Sequence, residues 1–409
     1  MLKNYFKIAI AVLKRRKFFT FISLFGISLT LTILMVATAL ADKMLHPGYP
    51  DYHQNRSLYV ERIEFKNTKQ GWMNMSDLSF YFFDHYVSTI KTIDKMAISS
   101  GQKSSNAYVN NKKLVIAYKY TNADYWKVLN YKFLEGRPYG DQEIKSAERV
   151  AVITKETKEA YFGDVKSVIG QYISADNINY RVIGVVENVS GSVRNLTGDM
   201  YIPYTLSTDS KDTGLMGTYN AILLARSEDD IPKMKKEFAQ MVKKLPVPPD
   251  FDKIYCNADG FKTSLTRRMA GNSTDDGLTK VFTVAGLFVL LFLLLPTINL
   301  VNINITRIME RSSEIGVRKA FGASSKTLVY QFIVENLILT LLGGIIGVLL
   351  SVLVIYLINA SDYISNFNLS MNFTVLFLSL LTCVLFGLIS GVYPAWRMSK
   401  LNIVKALKS

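Results

Sequence analysis

Residues that carry chemistry are scarce in this 409-residue sequence, which has two cysteines and three histidines. Cys256 and Cys383 lie in stretches of opposite character, one polar and one apolar, so no disulfide framework is expected. His46, His53 and His85 form no His-Glu-x-x-His pattern and sit beside no cysteine cluster, so no metal site is expected. A Gly-x-x-x-x-Gly-Lys-Ser/Thr phosphate loop is missing; Gly322 to Thr327 is only superficially similar, because it lacks the second glycine and follows no strand. No Gly-x-Ser-x-Gly elbow occurs either. The chain is therefore expected not to be an enzyme, to have no catalytic residues and to hold no cofactor of its own.

Charge is missing from four long runs, 18–41, 281–305, 337–358 and 373–391. Each approaches the roughly 20 residues that a helix needs to cross a bilayer. The net charge of +15 is spread unevenly between them. Segment 42–280 holds 33 Lys+Arg against 29 Asp+Glu, while 1–17, 306–328 and 397–409 hold 6, 5 and 4 basic residues against Glu310 and Glu314 alone. Short basic segments stay in the cytoplasm. The expected protein is thus a multi-pass protein of the cell (inner) membrane, with both termini inside and 42–280 outside. Nucleic acid is not an expected partner, because the basic residues cluster at helix ends. Cleavage of the first run as a leader is not expected, since it exceeds the 7–15 residues of a signal h-region.

The fold expected is four transmembrane helices with a large α+β extracytoplasmic domain. Residues 1–17 form a cytoplasmic amphipathic helix. The spans are 18–41, 281–305, 329–358 and 373–396, joined by a cytoplasmic loop 306–328 and a short outer loop 359–372, with a tail at 397–409. In the outer segment, 57–65 reads as a strand, 77–93 as a helix and 96–99 as a strand; 219–225, 230–245 and 253–256 repeat the β-α-β order. Between these two units, 57–104 and 206–259, the insert 105–205 reads as β-rich. Its candidate strands are 107–109, 114–120, 150–153, 171–173 and 180–188, with a helix at 155–162. Residues 260–280, with Arg267-Arg268 and Asp275-Asp276, read as a polar stalk.

Within the second run Pro296 should kink the helix or soften it. Asn299, Asn302 and Asn304 suit either a helix contact or the interface. Glu335 is expected in the first turns of the third helix near the inner headgroups, where its charge suits the helix dipole. Gly343-x-x-x-Gly347 and Gly387-x-x-x-Gly391 are candidate helix-packing faces.

The densest motif is the loop Glu310 to Ser325, E-R-S-S-E-I-G-V-R-K-A-F-G-A-S-S. Glu314 and Arg318 are spaced i,i+4 and can pair on a helix. Arg311, Arg318 and Lys319 offer donors to acidic or carbonyl groups. Ile315, Ala320 and Phe321 supply a small apolar surface. Gly322 suits a helix end and Ser324 a following cap.

At 310–324 the sequence closely resembles the signature of MacB/FtsX/LolC-type ABC transporter permeases. Outer phrases such as Asp124-Tyr125-Trp126, Gly136-Arg137-Pro138, Tyr161-Phe162-Gly163 and Tyr201-Ile202-Pro203, with the ending Pro394-Ala395-Trp396-Arg397, extend the resemblance over nearly the whole chain. It implies a porter-like α+β subdomain with an inserted one. It also implies a second permease chain, identical or paralogous, in a homo- or heterodimer. A cytoplasmic ABC ATPase subunit that binds ATP and Mg would be a separate polypeptide, because only 17 residues precede the first helix, and a periplasmic adaptor is an optional further partner. By the resemblance, ATPase coupling would fall to Glu310, Arg311, Glu314, Ile315, Gly316, Arg318, Lys319, Ala320, Gly322 and Ala323. The function implied is mechanotransmission for export or extraction of a peptide, lipoprotein or drug-like cargo. The alternative is a signalling subunit that regulates an extracytoplasmic partner such as a cell-wall hydrolase.

Overall fold

The computed structural model describes residues 10–11, 13–15, 17–46, 48–109, 112–189, 196–310, 325–361 and 369–370, with scattered positions between 374 and 388. The chain divides into two compact units, one of residues 44–281 with 364–367, the other of the remaining residues.

In chain order, α1 (Lys17–Leu45) leads to strands β1 (Ser57–Val60), β2 (Ile63–Lys66), β3 (Met73–Leu78), β4 (Ile93–Ser100), β5 (Lys103–Val109) and β6 (Lys112–Thr121). After α2 (Tyr125–Val128) come β7 (Phe133–Gly136), α3 (Asp141–Lys145), β8 (Val150–Thr154), α4 (Lys155–Phe162), β9 (Tyr172–Ala175) and β10 (Ile178–Val186). Next are β11 (Met200–Pro203), β12 (Met216–Gly217), β13 (Tyr219–Ala225), α5 (Ile231–Val242), β14 (Lys253–Cys256), α6 (Phe261–Ala270), α7 (Leu278–Glu310) and α8 (Ser325–Ala360).

In the 44–281 unit ten strands form the path β14-β2-β3-β13-β4-β6-β11-β8-β10-β7, and off it β1 pairs with β13, β12 with β3, β5 with β6 and β9 with β10. β1 and β4 both pair antiparallel with β13, so they are parallel to each other with β13 inserted between them. The later strands of this path, β6 to β7, join the earlier ones through a single pair, Ser99 with Thr121. Around β1, β4 and β13 both faces of the sheet are covered, and alternate residues there enter different cores. Leu58 and Val60 of β1 join one cluster and Tyr59 the other; Leu223 and Leu224 of β13 divide in the same way. Strands buried on two faces read as apolar runs rather than alternating ones. In α5 the apolar residues Met234, Phe238 and Val242 recur at four-residue steps, and all three are buried in the first cluster.

Two expected elements differ. The strand expected at 57–65 is two strands that part at Glu61 and Arg62, β1 pairing with β13 and β2 with β3 and β14. The helix expected at 77–93 is reduced to a π turn at Phe82–Tyr86 and a 3-10 turn at Val87–Thr89, because β3 takes the chain up to Leu78. The apolar residues Phe82, Phe83 and Val87 that suggested helical spacing are nonetheless buried there.

The second core closes on tyrosines. The hydroxyls of Tyr131 and Tyr201 both donate to the carbonyl of Leu196, at 3.0 and 2.9 Å, and Tyr125 meets Tyr131 at 2.9 Å. Gly136, at φ +65°, is required: a Cβ there would lie 2.0 Å from the carbonyl oxygen of Ile183. Lys119 of β6 is 2% exposed, and burial pushes its ammonium down to about 8.

In the other unit, α1 and the Ile333–Ala360 part of α8 are each long and apolar enough to cross a membrane. α7 is helical through the whole 281–305 run, Pro296 included, so the proline does not end it. Most of the fourth apolar run lies outside the described residues. Among the buried residues of α1, Ser23, Ile27, Leu31, Met35 and Ala39 step by four along one stripe with Ser28 and Thr32 beside it, and Phe18, Phe21, Phe25 and Leu29 are exposed elsewhere.

Candidate functional site

α7 ends at Glu310 and α8 begins at Ser325, so two long helices bracket the charged motif. Arg311, Glu314, Ile315, Gly316, Arg318, Lys319, Ala320, Gly322 and Ala323 lie outside the described residues, as do Gly387 and Gly391.

Gly343 and Gly347 lie where α8 meets α1. A Cβ at Gly343 would sit 2.8 Å from Ile27 Cγ2, and one at Gly347 would sit 2.9 Å from Leu31 Cβ and 3.0 Å from the Ser28 carbonyl oxygen. The Thr32 hydroxyl reaches the carbonyls of Ser28 and Gly347 at 2.7 and 3.1 Å. One turn on, the Ser351 hydroxyl is 3.3 Å from Met35 Sδ. The pairs Ile27–Gly343, Leu31–Gly347 and Met35–Ser351 advance together by four residues, so α1 and α8 run parallel.

Glu335 is the eleventh residue of α8, about three turns in, because the helix starts earlier than expected. That is beyond the first turn, where the dipole acts. Its side chain is 2% exposed, beside buried Asn336 and Thr340. Asn302 is exposed, and its carbonyl accepts from Thr306 Oγ1 at 3.0 Å. The side chains of Asn299 and Asn304 lie outside the described residues.

Segment 260–280, expected as a polar stalk, is α6 and a turn tied down by hydrogen bonds and ion pairs that leads into α7. Arg267 donates from Nε and Nη2 to the Asp259 carboxylate at 2.6 and 3.2 Å, and from Nη1 to the carbonyls of Asn272 and Asp275 at 2.6 and 3.1 Å. Arg268 pairs with Glu61, the Ser273 hydroxyl donates to Glu64, and Thr266 donates to the Asp276 carbonyl at 3.0 Å. Lys280, in the first turn of α7, pairs with Asp275 at 2.6 Å. Asp259 also exchanges both backbone hydrogen bonds with Tyr59 of β1, at 2.7 and 3.0 Å. The Tyr59 hydroxyl donates to Asp51. Burial raises the Asp51 carboxyl, and burial followed by the Asp51 charge pushes the Tyr59 hydroxyl far up. The lead into the sheet and the lead out of it thus meet on one strand. Arg267-Arg268 and Asp275-Asp276 were legible as charge pairs; the partners of the two arginines, Asp259 and Glu61, carried no signal.

These features define a class: an α+β domain set in a chain with long apolar helices before and after it. Residues 20–241 match the MacB-like periplasmic core domain, and residues 286–403 match the FtsX-like permease C-terminal domain. The chain belongs to the MacB/FtsX-like family of ABC transporter permeases, and the 44–281 unit is its extracytoplasmic domain.

The uncharacterized ABC transporter permease YknZ of Bacillus subtilis is 26% identical over 332 residues, which cover 80% of this chain and 79% of YknZ. The macrolide export ATP-binding/permease protein MacB of Wolinella succinogenes is 25% identical over 413 residues, 98% of this chain and 60% of MacB. Its Campylobacter jejuni counterpart is 28% identical over 66% of this chain and 41% of that protein. The chain therefore spans about two-fifths to three-fifths of these MacB proteins. Among solved structures, the extracellular domain of YknZ superposes with a TM-score of 0.33 at 20% identity, covering 44% of this chain and 91% of that one. The periplasmic region of MacB from Actinobacillus actinomycetemcomitans gives 0.37 at 15%, covering 53% and 94%.

Proposed function

We propose that this permease couples ATP hydrolysis by a cytoplasmic ABC ATPase subunit to movement of its extracytoplasmic domain, for export or extraction of a peptide, lipoprotein or drug-like cargo. ATP and Mg belong to the ATPase. Four spans carry the chain, and a second permease chain completes the transporter. Glu310, Arg311, Glu314, Arg318 and Lys319 form the ATPase contact, with Ile315, Gly316, Ala320, Gly322 and Ala323 shaping it.

The observation that carries this reading is the tie between α7 and the sheet. Force applied at the Glu310 end of α7 travels along one continuous helix to Lys280. From there the Asp275, Arg267 and Asp259 contacts hand it to β1. A chain with no phosphate loop of its own needs such a route to use ATP energy. The parallel course of α1 and α8 also supports the reading, since both helices then run outward from the cytoplasmic side, as an N-terminus-in topology requires.

The test is co-purification. An ABC ATPase should accompany the wild-type chain and be lost with Glu314→Lys or Arg318→Glu. Normal binding and hydrolysis in both variants would exclude coupling through this loop.

A further inference from the structure

We propose that a cleft on the outer face of β14-β2-β3 binds a small apolar monocarboxylate, with its carboxylate on Arg62 and its body against Met73 and Met75. The cleft has a volume of about 390 Å³, at the small end of the range for small-molecule sites. Its floor follows from register. Glu64 stands opposite Met75 and Tyr255, and Lys66 opposite Met73, so these side chains share one face of the sheet. Arg62 precedes Glu64 by two residues and joins them in the lining. Ile63 and Phe65 point the other way, into the core. The wall is the turn Asn272 to Thr274 that leads into α7.

Most charges in the cleft are already matched. Arg267 holds Asp259, Arg268 holds Glu61, and Glu64 accepts from Ser273. Two cations remain. Among the described residues the Arg62 guanidinium has one hydrogen bond, from Nη1 to Met75 Sδ at 3.4 Å, and a thioether is a weak acceptor. The Lys66 ammonium makes no ion pair among them. Asp77, outside the lining, has a carboxyl that burial pushes up, opposed by Arg62. Arg62 and Lys66 against Glu64 leave one excess positive charge. That suits one carboxylate; a phosphate dianion would meet Glu61 and Glu64 as well. Met73 and Met75 are 59% and 47% exposed, an adaptable apolar surface beside Arg62. The inference rests on the cleft alone and does not need the ATPase reading.

The experiment is calorimetric titration of the full chain in detergent with N-acetyl-Leu-Phe, its C-terminal amide, 4-phenylbutyrate and inorganic phosphate. The acid should bind and the amide bind roughly tenfold more weakly, the effect of losing one charge-assisted pair. Arg62→Gln should erase that difference with thermal unfolding unchanged, and Met75→Ser should weaken acid and amide alike. Binding of the peptide acid but not phenylbutyrate assigns a peptide chain end; binding of both assigns plain apolar acids. Equal affinity for acid and amide, no binding of either acid, preference for phosphate, or an acid preference that survives Arg62→Gln each overturns the proposal.

Discussion

Between α1 and α8 the close contacts come from Gly343, Gly347, Ser28, Thr32 and Ser351, none of them charged, whereas the turn between α6 and α7 is tied down by Arg267, Arg268, Glu61 and Glu64. Each set answers to its surroundings. Apolar side chains gain little by leaving lipid for another apolar helix, so helices there associate through close backbone approach and hydroxyl-to-carbonyl bonds. In the extracytoplasmic domain water competes for every surface bond, and a charged pair holds firmly only where water is shut out. Arg267 and Asp259 satisfy that condition, their side chains being 15% and 9% exposed. The seam should therefore be sensitive to volume and the turn to charge.

The largest effect should come from Arg267→Ala. It leaves the Asp259 carboxylate buried without its cation and takes the Arg267 donor from the Asn272 carbonyl, at a cost of about 3–5 kcal/mol. Chemical unfolding of the full chain in detergent, followed by protease access to 271–277, measures this. Unchanged stability would mean that the turn is held by something other than charge.

Lys119 extends the comparison to pH. Its folded value of about 8 lies below the roughly 10.4 of an unfolded lysine, so the unfolded chain holds more protons between these values. Stability of the extracytoplasmic domain should rise with pH across that window, by about 3 kcal/mol from this group, and the penalty is fully present below it. Lys119→Met should flatten the rise relative to wild type; identical pH curves would show that burial does not suppress this charge.

A smaller effect is expected at the seam. Gly347→Ala drives a methyl into Leu31 and the Ser28 carbonyl and should cost about 1–3 kcal/mol. Gly286→Ala, in α7 with nothing within 4 Å, should be neutral or stabilise by up to about 1 kcal/mol. Thermal unfolding in one detergent compares them, and equal melting temperatures would refute volume control at the seam.

Much of the extracytoplasmic domain was legible locally. The strands at Tyr219–Ala225 and Lys253–Cys256 and the helix at Lys155–Phe162 have the bounds their composition suggests. The segment between β3 and β4 misled, because buried apolar residues at Phe82, Phe83 and Val87 imitate helical spacing in a short irregular turn. Of the proposed functional residues, the sequence offered the charged loop as a block and the two glycine motifs as common patterns. The partner of Gly343 was not readable, since nothing local in α8 points to Ile27.

Sequence alone determined which stretches are long and uncharged enough for a membrane, where the basic residues gather and which motifs are missing, because these are properties of composition and spacing. Tertiary structure alone decided the pairings: Gly347 with Leu31 and Thr32, Arg267 with Asp259, Tyr59 with Asp51, and Arg62 with the Met75 sulfur. Such contacts join residues eight or more positions apart in the chain, and each depends on a sheet register or a helix direction that the whole fold fixes.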